Sequence, residues 1–457
     1  MSKILSAEAL NREALSLADL IINRYTSEDG GIFERVDVEN GKVIDLDCAI
    51  DELGDYVQYI VYLGFLCSRK DYVDWGLKTL RLIAKKYQSE KGLFYNRQGK
   101  KHLNRNLLTL NNSDTITGLV SAFIYTGSDL LRPIIEKFID GAFQFFLDDD
   151  YFTYGYLFGD KLTVSLSSLL FSGYFIEETL NYTEFIGDRD YLSRIRNVIN
   201  KNLSNSFFLK YGIFQARIPL GLRGACWGLS YRVFKRDNLK TTYLVKDNVY
   251  FLFALLRYFT IVKDRALKQV ITRVYNRLIE LFERNGLIYN NWNPSEGCTG
   301  PPSGLALSHS IIELQLDLYH EFGDEIYLQQ AIDLTDKWLH RKSPVNVIYE
   351  TISGNEHYSL LDPNVDFAVN LLKLFDKTGN DNYREKAFNI AGGIIEYFKA
   401  PKGYYWKVDT CNGNPLQRDI ETKYLGLLLK LFLVLSEVHK GRSIFDDPIV
   451  RNLSRDR

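Results

Sequence analysis

The chain lacks most of the features that would mark it for nucleic acid, membrane, disulfide or nucleotide chemistry. Its 57 Asp and Glu almost cancel its 56 Lys and Arg. No basic field exists to gather polyphosphate or anionic lipid, so nucleic acid is not an expected partner. Cysteine is scarce. Cys48, Cys67, Cys226, Cys298 and Cys411 are odd in number, far apart and form no C-x-x-C pair, which favours reduced thiols over a disulfide framework or a zinc site. No stretch approaches the roughly 20 apolar residues that span a bilayer. Residues Met1 to Tyr25 carry Glu8, Arg12, Asp19 and Arg24 among their apolar positions and read as an amphipathic helix, not a signal peptide. A cytoplasmic protein is the expectation. P-loop, dinucleotide fingerprint and Gly-x-Ser-x-Gly elbow are all missing. Asp45-Leu-Asp-Cys-Ala-Ile-Asp51 has the wrong spacing for an Asp-rich diphosphate motif. No cofactor and no bound metal are expected.

Aromatics, by contrast, are abundant: 30 Tyr, 28 Phe and 5 Trp. Most such rings fill cores, while rings at helix ends can stack on sugar faces. A short pattern also recurs, in which a Gly or turn is followed by two or three apolar residues and a polar end. It occurs at Gly30–Arg35, Gly92–Arg97, Asp150–Tyr154, Tyr211–Arg217, Asn285–Asn290, Val345–Glu350 and Lys402–Lys407. Copies lie about 60 residues apart, a period that signals a repeat architecture. A helix-period stretch with one charged face precedes each copy, and a helix apolar nearly all round follows it after a loop. The second class starts near Leu53, Thr115, Ser167, Asn248, Gly304, Val365 and Thr422.

Seven exposed and seven buried helices can stack as an open solenoid or close on themselves. The last buried helix is followed only by the tail 441–457, with no polar capping repeat. The expected fold is therefore all-α: a closed α/α barrel, or toroid, of about seven helical hairpins with short β-hairpins on one face. One domain, 1–457, is expected, with 217–243 readable as a lid or rim insertion.

Parallel inner helices would gather their N-termini at one end, where unpaired N–H groups favour carboxylates and polar ligands. Acids occur at five of the seven starts, and for any single one N-capping is the simpler explanation. Two starts carry more acid than a cap requires. Asp51, Glu52 and Asp55 fall within about one turn, and Asp362 and Asp366 lie on one helix face. Like charges so placed repel, which raises at least one pKa and keeps a carboxylic acid protonated for general-acid work. Asp51, Glu52, Asp55, Asp366 and Glu421 are the catalytic candidates. Asp114, Trp227, Asp247, Trp292, Glu296, His309, Asp362 and Trp406 are the substrate-binding candidates.

The polar start Arg418–Thr422 running into an apolar helix carries a resemblance. Ile420-Glu-Thr-Lys-Tyr-Leu-Gly-Leu-Leu-Leu-Lys-Leu-Phe432 is similar to the closing helix of class I α-mannosidases, and the architecture resembles the α/α-toroid carbohydrate-active superfamily. That superfamily includes glucoamylase-like enzymes, class I α-mannosidases and sugar epimerases. The mannosidases end in a Thr-Glu-Ala-His-Pro type of motif whose neighbourhood binds calcium. Here Ser443-Ile-Phe-Asp-Asp-Pro448 replaces it, so neither calcium nor mannosidase specificity is carried over. The resemblance implies a carbohydrate substrate and a place in surface-glycan or oligosaccharide metabolism.

Glycoside hydrolysis by two carboxyl groups, one protonated and one ionised, is the leading expectation. A sugar epimerase or isomerase is the alternative, using histidine as proton carrier. Of six His only His309 and His357 lie near inner-helix starts. A non-catalytic glycan-binding protein of the same fold is the third.

Overall fold

The computed structural model describes residues 5–28, 30–48, 50–98, 102–109, 113–154, 156–158, 161–162, 166–218, 220, 243–352, 357–447 and 450–451. Among these, helices of two kinds alternate. The outer set is α1 (Ala7–Arg24), α3 (Lys70–Tyr87), α5 (Arg132–Phe145), α7 (Asp190–Leu203), α10 (Arg265–Phe282), α12 (Glu325–Leu339) and α14 (Asp381–Gly393). The inner set is α2 (Val57–Leu66), α4 (Ser113–Thr126), α6 (Leu169–Ile186), α9 (Val245–Val262), α11 (Leu305–Phe322), α13 (Leu361–Thr378) and α15 (Lys423–His439). A short extra helix, α8 (Ser206–Tyr211), follows α7. No helix among the described residues is long and apolar enough to cross a membrane. The lid segment proposed at 217–243 falls almost wholly outside the described residues, as does most of the tail after Asp447.

Each class follows from its sequence pattern. In α1 the buried residues Leu10, Ala14, Leu17, Ala18 and Ile21 make one stripe, and Ser6 caps the start by accepting from the Ala9 N–H at 3.2 Å. A single stripe is what a helix with one wet face shows. In α15 every residue from Leu425 to Val438 is buried, Lys430, Ser436 and Glu437 included. Three inner helices, α6, α11 and α13, stop at Gly187, Gly323 and Gly379 in the left-handed conformation, where glycine carries no Cβ penalty.

The chain folds as two compact units, residues 1–82 with 303–457 and residues 83–302. In the second unit α9 packs on α6 and α6 on α4. Gly173 permits the first contact, since a Cβ there would lie 2.7 Å from the Tyr250 carbonyl oxygen. In the same unit a hairpin of β3 (Leu287–Asn293) and β4 (Gly297–Pro302) opposes Trp292 to Cys298.

The first unit joins both parts of the chain. Helix α15 packs on α1, α2 and α13, and α13 on α11. Glu13 of α1 receives Lys399 Nζ at 2.7 Å and the Tyr404 hydroxyl at 3.0 Å, and Ser436 donates to Asn11 at 2.9 Å. Strand β1 (Phe33–Asp37) lies between β2 (Val43–Cys48) and β7 (Asp419–Glu421), all antiparallel. Strands β5 (Tyr358–Leu360) and β6 (Lys407–Asp409) form a second pair. The last inner helix therefore does pack on the first outer one, as closure requires.

Gly426 marks the tightest approach of α15 to the 3-10 turn Ile50–Asp55 that precedes α2. A Cβ at Gly426 would sit 1.9 Å from the Asp55 carbonyl oxygen and 2.5 Å from Tyr56 Cβ. Because a backbone atom cannot move aside cheaply, Gly426→Ala should destabilise the protein by at least the ~1–3 kcal/mol typical of overpacking. Urea titration measures this.

Candidate functional site

The strongest site in the first unit is built where the loop after α12 meets the starts of α11 and α13. Asn364, in the first turn of α13, holds this loop from beneath. Its Oδ1 accepts from the Ile348 N–H at 2.7 Å, and its Nδ2 donates to the Ile348 and Leu360 carbonyls at 3.2 and 2.9 Å and to Ser359 Oγ at 2.8 Å. Asn248 in α9 holds Phe214 by the same two-way bond, at 2.8 and 3.1 Å. The recurring turn-plus-apolar pattern is thus, in these two copies, a segment strapped to an inner helix by an asparagine.

The strap delivers Glu350. Its N–H donates to Tyr358 O at 3.2 Å and its carbonyl accepts from the Leu305 N–H at 2.9 Å, so the backbone is fixed between β5 and α11. The side chain lies against the N-terminus of α11, with Oε1 3.3 Å from the Ala306 N–H. Gly304 makes room, since a Cβ there would be 2.3 Å from Oε1. The other oxygen, Oε2, is buried without a hydrogen-bond partner, and Glu350 is 8% exposed. Burial raises its pKa to about 8; the Ala306 N–H works against that rise and the Asp362 charge adds to it. Desolvation of the charged form outweighs the helix terminus. Glu350 is therefore a carboxylic acid at neutral pH with one oxygen to spare.

Asp362 stands beside it in the first turn of α13, which has no side-chain N-cap. Its Oδ1 accepts from Trp406 Nε1 at 2.9 Å, and the helix N-terminus favours a negative charge. The Trp406 ring stacks on Tyr424, centroids 5.7 Å apart and planes 15° from parallel. Both rings are half-buried. The protonated Glu350, the Asp362 carboxyl and two stacked rings thus meet at one place.

The remaining candidates distribute as follows. Asp366, one turn below Asp362, is 5% exposed and bound to Lys430 Nζ at 2.5 Å, with His309 Nε2 3.7 Å from its other oxygen. Lys430 and Asp366 form a buried ion pair. In a second cluster Lys373 Nζ contacts Glu313 at 2.7 Å and Asp317 at 3.2 Å. Burial opposes the Lys373 charge, but the two acids outweigh it and its pKa is raised. Glu421 lies on β7 opposite Arg35, 3.3 Å from Lys423 Nζ and 40% exposed. Asp55 is half-buried at the end of the 3-10 turn. Asp51 and Glu52 belong to that turn, but their side chains, like that of Asp114 in α4, lie outside the described residues, and so does Trp227. His357 is exposed.

In the second unit, Asp247 in the first turn of α9 is 4% exposed. Burial raises its pKa to about 6, with the charge of Arg217 acting in the opposite direction. Trp292 packs edge-on to Tyr211 at 5.8 Å, and Glu296 accepts from Asn293 at 3.1 Å in the β3–β4 turn. Among the described residues, no three His, Cys, Asp or Glu side chains gather as a metal would require.

Glu350 has a measurable consequence for folding. Its folded pKa of about 8 exceeds the ordinary 4.5. Between those values the folded protein keeps a proton that the unfolded chain releases. Stability from this group is therefore full below about pH 4.5 and falls as pH rises toward 8, by on the order of 4 kcal/mol in all. Glu350→Gln should flatten that slope in urea titrations at pH 5 and pH 8.

No protein-family model and no curated protein matches the sequence. Solved structures do match. A D-mannose isomerase aligns with TM-score 0.61 at 10% identity, covering 96% of this chain and 100% of that one. An α-1,2-mannosidase from Trichoderma reesei aligns with TM-score 0.62 at 11% identity, covering 93% and 92%. A cellobiose 2-epimerase from Bacillus thermoamylovorans aligns with TM-score 0.57 at 11% identity, covering 93% and 98%. The likeness shows the fold, an α/α toroid.

Proposed function

We propose that the protein hydrolyses glycosidic bonds, with Glu350 as general acid and Asp362 as the ionised partner. The observation that carries this reading is the buried Glu350 carboxyl, protonated at neutral pH, with Oε2 unengaged and the Asp362 charge beside it. Hydrolysis needs a proton delivered to the departing oxygen and a carboxylate that activates water or attacks the anomeric carbon. Glu350 supplies the first and Asp362 the second. Trp406 and Tyr424 would offer a stacking wall to the sugar ring. The assignment moves the catalytic pair away from Asp366, whose charge is spent on Lys430.

Sugar epimerisation or isomerisation is the second reading, and one observation favours it: His309, in the first turns of α11, lies buried beside Asp366. A histidine so placed could carry a proton to and from a ring carbon. Incubation with aryl glycosides and oligosaccharides, followed by free sugars in deuterated water, separates the two. Release of aglycone or reducing ends supports hydrolysis. Deuterium at a ring carbon without release overturns it in favour of epimerisation.

A further inference from the structure

Burial keeps the proton on Glu350, and for the pair to divide its roles the neighbouring carboxyl must stay ionised. We propose that Trp406 is the positioning residue that keeps Asp362 ionised beside the protonated Glu350, by donating its indole N–H to the Asp362 carboxyl. The inference rests on the acid–base reading of the pair.

An indole N–H can donate and cannot accept. Its bond to Asp362 Oδ1 at 2.9 Å therefore favours the carboxylate over the acid, whereas a hydroxyl in the same place could serve either form. The ring is prevented from turning away. Its face lies on Tyr424, and its backbone is tied to the start of α13 by the Leu361 N–H, which donates to Trp406 O at 2.9 Å. The next residues, Lys407 and Val408, continue the tie by pairing with Leu360 and Ser359 in the β5–β6 ladder. Lys407 adds its ammonium 3.6 Å above the Tyr358 ring. One short strand pair thus fixes the donor and the acceptor together.

Glu350 is treated differently. Its Oε1 meets a backbone N–H at the longer distance of 3.3 Å, and Oε2 meets no donor. A strong, one-way donor on one carboxyl and a weak one on the other splits the two pKa values, which is how paired acids acquire distinct roles.

Trp406→Phe keeps a ring for Tyr424 and removes only the donor. Losing a hydrogen bond to a charged group should raise the Asp362 midpoint by about one pH unit. The expected result is that the acid limb of the kcat/KM profile moves up by that amount, while the alkaline limb set by Glu350 stays in place. With carboxyl-13C aspartate in the substrate-free protein, the Asp362 resonance, assigned through Asp362→Asn, should shift its midpoint equally. An unchanged Asp362 midpoint overturns the proposal. A shifted midpoint in a protein that cleaves no glycoside leaves the action of Trp406 on Asp362 standing and removes the hydrolase reading instead. If the variant does not fold, the wild-type Trp406 indole N–H resonance serves. It should titrate with the Asp362 midpoint, and indifference to pH there would overturn the proposal as well.

Discussion

With substrates whose leaving group needs a proton, Glu350→Gln should lower kcat/KM by roughly 10²–10⁴-fold, the usual contribution of a positioned general acid, and should abolish the alkaline limb expected near pH 8. The sign follows from the role. A general acid works while protonated, so wild-type activity is expected to fall as pH rises through about 8. Glutamine keeps the size of the side chain and its contact with the Ala306 N–H but has no proton to give. Binding should survive, because the stacked rings of Trp406 and Tyr424, the proposed sugar wall, are untouched. Rate profiles from pH 5 to 9, with glycan binding measured separately, check each part.

Lys430→Met should destabilise the protein by roughly 3–5 kcal/mol, the cost of leaving one member of a buried ion pair without its partner. Lys430 is fully buried and Asp366 is 5% exposed. Removing the ammonium leaves a carboxylate in the core beside His309 with little water to take over. The double variant Lys430→Met with Asp366→Leu should recover most of the loss, since well-packed apolar replacements of a buried pair are often neutral. Urea midpoints for the two single variants and the double variant close the cycle. Full stability in the single variant would mean that Asp366 does not depend on Lys430, and would return Asp366 to the list of reactive acids.

The helices were legible in the sequence because their signal is local. Outer helices show one apolar stripe, inner helices are apolar all round, and the observed α11 (Leu305–Phe322) and α15 (Lys423–His439) each begin one residue from the expected Gly304 and Thr422. Asp362 is a candidate from sequence because it stands at a polar inner-helix start, and Trp406 because it is an aromatic ring in the Lys402–Lys407 copy of the repeat. Glu350 is not among the candidates expected from sequence because nothing near it in sequence predicts its burial. That burial comes from Asn364, fourteen residues on, and from Gly304, forty-six residues back. A signal did exist. Glu350 is the polar end of one of the seven repeat copies, and an asparagine begins the inner helix that follows it.

Asp366 looked reactive because its partner is distant. Lys430 lies 64 residues away, inside the apolar run of α15. A single lysine in a helix buried on every side must find an acid, and Lys373 in α13 obeys the same rule through Glu313. Reading those two lysines as demands for buried carboxylates would have separated Asp366 from Asp362.

Leaving-group dependence tests the central claim most directly. Rates for a series of aryl glycosides, from phenyl to dinitrophenyl, would be measured for wild-type protein and for Glu350→Gln at pH 6. A good leaving group departs without a proton and a poor one does not. Glu350→Gln should cleave dinitrophenyl glycosides at a rate near wild type and lose phenyl glycosides by two orders of magnitude or more. Equal losses across the whole series would contradict it, and Glu350 would then be a structural acid.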